Sequence, residues 1–541
     1  MKVKSGRIDH LGIIAGTIKD LRIIELINER IPQDPREKIS TGEAIAGMII
    51  NGLGFSDRPM SLTPQFFQNK AMEQLFRKGV TADDFNRHKL GRALDSCYTY
   101  GTDRLFAEIS FAVCCQEKVD CRFNSEDTTT FSVTGEYDRE CDENAISITH
   151  GYSKDHRPDL KQAVLELMVS QDGGIPIISK SWNGNESDSK IFRERSAELL
   201  ESFKKSDGPR FLIADSKLYA KKTLQDTLRE IPFITRVPSV VKEEQLRIAE
   251  ALEIVPEQWK KLDDHNRYHT IELEYYGQRQ RWIIVGSDEM KNRSKKSVEK
   301  AVQRESESLE KELTKIARQE FACEADAKNA FSHINKRAKY HFVKVEKIVE
   351  KKVFSTKGRP KLNASCTLVY LVRGYVKKDE NAVEKNIQQK SCYVLATTIP
   401  AKDLSEEEVI LAYKRQNSSV ERGFRFLKDP VFFTSSLFVK KPERIEGLLM
   451  MMTLALLVFS IAQRRLRIYL QETNETLPNQ IRKETTRPTL RWIFQLMEGI
   501  EYVQVVIDGV VRQTRTGLTD LRLRILACFS PTIQKIYGLE I

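Results

Sequence analysis

The sequence predicts a mixed α/β protein with a helical N-terminal segment, a sheet core split by a β-rich insertion, and a helical C-terminal region. Three observations carry this. Up to about residue 118, apolar residues recur at helical spacing between Gly-containing joints; beyond it, short runs rich in Thr, Val, Ile and aromatic residues take over. A charged stretch from 235 to 390 then interrupts the strand–helix alternation before it resumes. At 541 residues the chain is also too long for one core, so several domains are expected.

In the N-terminal segment, 1–118, Ser40 and Glu43 form a capping box ahead of an apolar helix that stops at Gly52 and Gly54. Thr81-Ala82-Asp83-Asp84 opens a second helix carrying Phe85, Leu90 and Leu94, and a third from Asp103 carries Leu105, Phe106, Ile109 and Phe111. Short helices with such joints suit a helix-turn-helix DNA reader and equally an ordinary helical bundle. We expect this segment to be the DNA-binding domain.

Residues 119–234 form the first part of the sheet core. Cys121 to Phe131 is β-prone, and Ala163–Val169 and Ile175–Ser181 are strands joined by the turn Asp172-Gly173-Gly174. A helix is expected from Asp188 to Phe203. Phe211-Leu212-Ile213-Ala214 is a continuous apolar strand of the kind buried on both faces, and it ends directly in Asp215. The insertion, 235–390, holds a hairpin (Glu272–Tyr276, Arg281–Val285), a charged helix from Lys295 to Phe321, and the strands His341–Val353 and Cys366–Val372. Val298, Val302, Leu309, Leu313 and Ile316 mark one apolar side of that helix, the pattern of a solvated amphipathic helix. The core resumes over 391–470 with a strand at Cys392–Thr397 and a helix from Ser405 to Asp429. The C-terminal region, 471–541, adds a basic segment (Arg482–Arg491), a strand at Tyr502–Ile507 and a helix from Leu518.

Composition excludes some classes. The apolar and charged fractions, 40% and 30%, are those of a globular chain rather than a disordered one. The net charge of +11 permits a polyanionic partner without requiring one. Nine scattered cysteines form no C-x-x-C pair or zinc-spaced cluster and suit a reducing cytoplasm. The apolar run Gly447–Ala462 is shorter than the ~20 residues that span a bilayer; flanked by Pro442 and Arg464-Arg465, it reads as a buried helix, and no membrane partner is expected.

Chemistry concentrates in three acidic residues. On the Ser405–Lys428 helix, Val409, Tyr413, Val420, Phe424 and Leu427 fall on one stripe at ~100° per residue, while Lys414, Asn417, Glu421, Arg425 and Lys428 share an adjacent face. That face suits a surface salt-bridge ladder, yet the helix follows an apolar strand and precedes the buried run, so Glu421 is expected near the core. Asp127 and Asp215 lie in a strand or at a strand end, where α/β sheets gather their chemistry. Carboxylates from two strands and a helix are what a hard cation needs, and two Mg²⁺ ions, or Mn²⁺, could activate an attacking oxygen and stabilise a leaving one.

Val420-Glu421-Arg422-Gly423-Phe424-Arg425-Phe426-Leu427-Lys428 resembles the end of the Y-x2-R-x3-E-x6-K signature of bacterial insertion-sequence DDE transposases of the "insertion-sequence four" type. Similar to the same families are His150 to Gln162, Gly173-Gly174-Ile175-Pro176 with Gly184 to Asp188, and Lys440 to Glu446. The resemblance spans about residues 80–535. It implies a ribonuclease-H-like fold with a β-rich insertion and Mg²⁺ dependence. It also implies cutting at terminal inverted repeats, strand transfer into target DNA, and a homodimer bridging two ends in the bacterial cytoplasm, on the nucleoid. Carried over, Asp127, Asp215 and Glu421 are the metal ligands, and Lys428 touches DNA near the cleaved phosphate. The signature's Tyr and Arg positions hold Lys414 and Asn417, with Tyr413 and Arg415 out of register, so Lys414 or Arg425 is expected to supply the charge, beside Arg422.

Three weaker signals accompany these. Lys357-Gly358-Arg359-Pro360-Lys361 has the Gly-Arg-Pro core of a minor-groove hook, or is a plain turn. Lys154, His156, Arg157 and Lys161 form a basic loop, either solvated or positioning phosphates. Asn183, Asn185 and Asp188 read as caps of the following helix. Two alternatives stay open: a nuclease or resolvase of the same fold without strand transfer, and a non-catalytic DNA-binding regulator.

Overall fold

The structure is a computed structural model that describes residues 2–55, 59–137, 142–187, 190–191, 211–226, 228–229, 231–254, 258–354, 366–429, 439–507 and 510–539. The chain divides into two units, residues 1–235 with 403–541, and residues 236–402.

The first unit begins with a strand, β1 (Lys2–Arg7), where sequence alone gave helix. Helices α1 (Leu11–Asp20), α2 (Ile23–Arg30), α3 (Thr41–Gly52), α4 (Thr63–Phe67), α5 (Met72–Leu75), α6 (Arg87–Tyr100) and α7 (Thr102–Gln116) follow. The capping box before α3 forms as expected, with the Ser40 hydroxyl accepting from Glu43 N. The expected start at Thr81 is displaced: Ala82–Phe85 is a 3-10 turn, and Asn86 caps α6 by accepting from the backbone of His88 and Lys89. An Asx cap with two donors outcompetes a Thr five residues upstream.

Strands β2 (Phe123–Val133), β3 (Lys161–Ser170), β4 (Pro176–Trp182), β5 (Phe211–Ala214) and β6 (Phe233–Arg236), with helix α8 (Lys221–Asp226) between the last two, build the core. Gly173 and Gly174, at φ +87° and +69°, close the β3–β4 turn in a conformation that favours glycine. Within this unit the strands lie in the order β4-β3-β2-β5-β6. β2, β3 and β4 are antiparallel, whereas β5 and β6 run parallel to β2. A central strand with an antiparallel meander on one side and parallel strands on the other is the ribonuclease-H-like arrangement. The expected helix from Asp188 lies almost wholly outside the described residues. Asn183 does not cap it: its Oδ1 accepts from Ser147 N (2.8 Å), and Ser187 receives the N–H groups of Lys190 and Ile191 instead.

The second unit contains α9 (Lys242–Glu253), β7 (Lys260–Lys261), β8 (Asn266–Tyr275), β9 (Gln278–Ser287), α10 (Asp288–Ile316), α11 (Glu324–Arg337), β10 (His341–Phe354), β11 (Cys366–Lys378), α12 (Glu380–Lys390) and β12 (Cys392–Thr397). Four strands order as β12-β9-β8-β7, and β10 and β11 pair as a two-stranded sheet. Leu309, Leu313, Ala327, Phe331, Ile334, Val343 and Val372 form a core between α10, α11 and the β10–β11 ribbon.

The chain then returns to the first unit with α13 (Glu406–Leu427) and α14 (Pro442–Glu472). β13 (Leu477–Pro478), β14 (Glu484–Thr485), α15 (Leu490–Leu496), β15 (Glu501–Ile507), β16 (Val510–Thr516), α16 (Asp520–Ala527) and α17 (Pro531–Ile536) complete it. β15 pairs with both β1 and β16, which explains the missed first strand: its partner lies at the far end of the chain. The apolar window of α14 is 83% buried, against α1, α3, α6, α7 and β4. One hydrophobic core therefore joins the N-terminal helices, the sheet and the C-terminal helices.

Candidate active site

The two aspartates meet through strand register. β2 and β5 are parallel with Glu126 opposite Ala214, so the following residues, Asp127 and Asp215, fall side by side. Side chains alternate along a strand, and paired residues of neighbouring strands, ~4.8 Å apart, point to the same face. Asp215 keeps extended backbone beyond β5 (φ −70°, ψ 179°) and so stays in phase.

Contacts two residues away identify that face. Gln171 Nε2 donates to Ser125 Oγ (3.1 Å) and to Ala412 O of α13 (2.7 Å). Ser125 and Asp127 share a side of β2, so Asp127 points toward α13. Across β3 and β4 the same face carries Leu167 and Ser179, and Ser179 Oγ lies 3.1 Å from Thr453 Oγ1 of α14.

Asp127 is half-buried; its Oδ1 accepts from Thr128 N (2.7 Å) and stands 3.8 Å from Lys154 Nζ. Lys154 Nζ is anchored by Thr128, donating to its carbonyl (2.6 Å) and its hydroxyl (2.5 Å). Asp215 Oδ1 accepts from Lys217 N (2.8 Å), capping a short 3-10 turn, while its carbonyl accepts from Thr235 Oγ1 (2.8 Å).

Glu421 enters from α13, which begins at the expected Ser405/Glu408 capping box. A Cβ on Gly423 would meet Leu167 Cδ2 and Leu456 Cδ2 at 3.2 Å. Leu167 is the cross-strand partner of Asp127, so α13 crosses the sheet two residues after Glu421 at the level of Asp127. Two turns on, Lys428 Nζ lies 5.7 Å from the centroid of Phe131, four residues beyond Asp127 on the same strand face. Seven helical residues rise ~10.5 Å and four strand residues span ~13 Å, so helix and strand advance together over this stretch. Glu421 itself is exposed, which corrects the expectation that it sits near the core. Its face is flanked by the buried stripe but not covered by it, because Gly423 meets Leu167 of the sheet and Val420 and Phe424 are the ones buried in the core.

The cations divide. Lys414, Arg425 and Arg422 are exposed. Lys428 bonds Asp155 Oδ1 (2.6 Å), which fixes it over the β2 face. Arg422 is turned about 100° from Glu421 along the helix, toward Arg467; burial first, then the like charges of Arg422 and Arg487, push Arg467 down to about 10. Arg157 is held by Asp159 through three hydrogen bonds (2.9, 3.3 and 2.8 Å), so its loop supplies its own counter-charge. Arg359 and the side chain of Asn417 lie outside the described residues.

Among the described residues no three Asp, Glu, His or Cys side chains are gathered closely enough to hold a metal ion. The two aspartates and Glu421 thus flank one face without closing on each other. The donor set still fits a hard divalent cation: only carboxylate oxygens are offered, two of the groups are in register, and the Lys154 ammonium beside Asp127 answers the same negative potential.

Sequence reasoning missed Gln171, whose amide ties the Glu421 helix to β2, and Arg467. Neither belongs to a motif; a Gln following a strand and an Arg inside an apolar helix are legible only once their partners are known.

Residues 127–458 match the family described as "Transposase DDE domain", and residues 3–111 match one described as "Domain of unknown function (DUF4277)". Among solved structures, the piggyBac transposase synaptic complex with hairpin DNA is similar with a TM-score of 0.35 and 10% identity, covering 100% of this chain and 85% of that one. No curated protein matches.

Proposed function

Because the chain belongs to the transposase DDE-domain family, which matches it over residues 127–458, we propose that it cuts DNA at the ends of a mobile element and joins the freed strands to target DNA. The observation that carries this reading is the shared register of Asp127 and Asp215 on the sheet face crossed by the Glu421 helix. Asp127, Asp215 and Glu421 would hold two Mg²⁺ or Mn²⁺ ions, which supply activation of the attacking oxygen and stabilisation of the leaving one in an in-line displacement.

The chain's own residues position the DNA. Lys154, pinned by Thr128, fixes positive charge beside Asp127. Lys428, with Arg425 and Lys414 on the same helix face, offers phosphate contacts along the approach to Glu421, and contacts of this kind set register rather than sequence. Element ends of the insertion-sequence four type, terminal inverted repeats read by residues 1–118, a dimer bridging two ends, and action on cytoplasmic DNA complete the proposal.

The test uses the DNA flanking the gene as substrate. With Mg²⁺ the protein nicks at the element ends and forms joined products with a target plasmid. Asp127→Ala, Asp215→Ala and Glu421→Ala each abolish cleavage and leave DNA binding nearly intact. Cleavage without joined products would assign a nuclease or resolvase instead, and binding without cleavage a regulator.

A further inference from the structure

The β10–β11 ribbon of the second unit has one face covered and one bare, and the bare face is basic. Its pairing runs Phe342↔Lys377, Val343↔Val376, Lys344↔Tyr375, then, past a bulge at Val345/Lys347, Lys347↔Arg373, Ile348↔Val372 and Val349↔Leu371. Val343, Val376, Ile348 and Val372 pack into the core with α10 and α11. Alternation therefore turns Phe342, Lys344, Lys347, Arg373, Tyr375 and Lys377 the other way. Lys344, Lys347, Arg373 and Lys377 are all exposed, and Tyr375 is 48% exposed.

These cations are arranged on aromatic surface rather than on carboxylates. Lys344 Nζ and Lys377 Nζ lie 5.4 and 5.9 Å from the centroid of Phe342. Lys351, further along the same face, is bound by Glu320 (2.9 Å), and Glu346 sits in the bulge. Lys344, Lys347, Arg373 and Lys377 remain as a rail of like charge on a twisted two-stranded ribbon. Holding four cations this close costs stability through mutual repulsion unless a polyanion neutralises them.

We propose that this face of the ribbon binds the phosphate backbone of duplex DNA, as a second contact apart from the carboxylate site. The inference rests on the reading of the protein as a DNA-processing enzyme and names the part of the insertion that would grip the substrate. Linear phosphate spacing and a linear row of cations fit without base recognition, so the contact would add affinity and not sequence preference.

The experiment titrates a fluorescent random-sequence duplex with the full chain over a range of salt concentrations. The comparison is a variant carrying Lys344→Gln, Lys347→Gln, Arg373→Gln and Lys377→Gln. Each lost phosphate contact lowers the slope of log K against log salt by about 0.9, so a slope shallower by about 2 to 4 is expected, with a matching loss of affinity. A companion variant that keeps the charge, Lys344→Arg with Lys347→Arg and Lys377→Arg, retains the steep slope, and thermal midpoints no lower than that of the wild type show that both fold. An unchanged slope in the Gln variant, with wild-type binding intact, overturns the proposal and leaves the functional reading standing. Wild-type protein that fails to bind duplex at any salt overturns both.

Discussion

Replacing Gly423 tests the crossing of α13 over the sheet, because that glycine is where helix and strand touch. A Cβ there would stand 3.2 Å from Leu167 Cδ2 and from Leu456 Cδ2. Gly423→Ala gains about 1 kcal/mol of helix propensity and spends a similar amount displacing two methyl groups, so its net effect is within about 1 kcal/mol of zero. Gly423→Leu adds three more carbons to the same gap and loses about 1–3 kcal/mol by overpacking. Leu167→Ala alone costs about 2–5 kcal/mol by leaving a cavity at a fully buried site. Combined, the new leucine enters the space vacated by the old one, and the pair is more stable than the sum of the singles by at least about 1 kcal/mol. Urea unfolding followed by circular dichroism on all four proteins gives the coupling. Additivity within about 0.5 kcal/mol would mean that Gly423 and Leu167 do not touch, and the placement of Glu421 opposite Asp127 would fail with it.

Other outcomes follow from single networks. Arg465→Met strands the Asp20 and Glu117 carboxylates, each 11% exposed and bonded to Arg465 at 2.7 and 2.6 Å, and loses about 3–5 kcal/mol; a thermal midpoint unchanged from wild type would refute this. Burial raises the Glu446 carboxyl from 4.5 to about 7, against the opposing hydrogen bond from Ile146 N. The folded state thus holds that proton longer than the unfolded state. Stability relative to Glu446→Gln is full below pH 4.5, declines by roughly 3 kcal/mol as pH rises to about 7, and is flat above; parallel stability–pH curves for the two proteins would contradict it. Ser40→Ala removes the α3 cap and loses about 1 kcal/mol in the same urea assay, whereas no loss would show the capping box to be dispensable.

Local chemistry made much of the fold legible. Phe211-Leu212-Ile213-Ala214 is a strand because four apolar residues end at an Asp that caps the next turn. The β8–β9 hairpin and the Ser405/Glu408 box before α13 are likewise written in adjacent residues, although the chain turns at Tyr276-Gly277, so Tyr276 lies in the turn and not in the expected strand. What stayed hidden depends on distant partners. Lys2-Val3-Lys4-Ser5-Gly6-Arg7 has no apolar run and becomes a strand only through β15. Asn183 looks like a helix cap until Ser147 claims it. At the candidate site, two aspartates at strand positions and a glutamate on an amphipathic helix could be picked out. The exposure of Glu421 could not, since it depends on Gly423 bringing the helix onto the sheet with its other face.

Local protein cleavage by Fe²⁺ substituted for Mg²⁺ tests most directly whether Asp127, Asp215 and Glu421 serve one site. With ascorbate and peroxide, a bound iron cuts the backbone segments that surround it, and the fragments are sized by mass spectrometry. Cuts near 127, 215 and 421 that vanish together in Asp127→Ala are the result predicted. Cuts at only one of the three segments, or cuts that persist in that variant, would contradict a shared site.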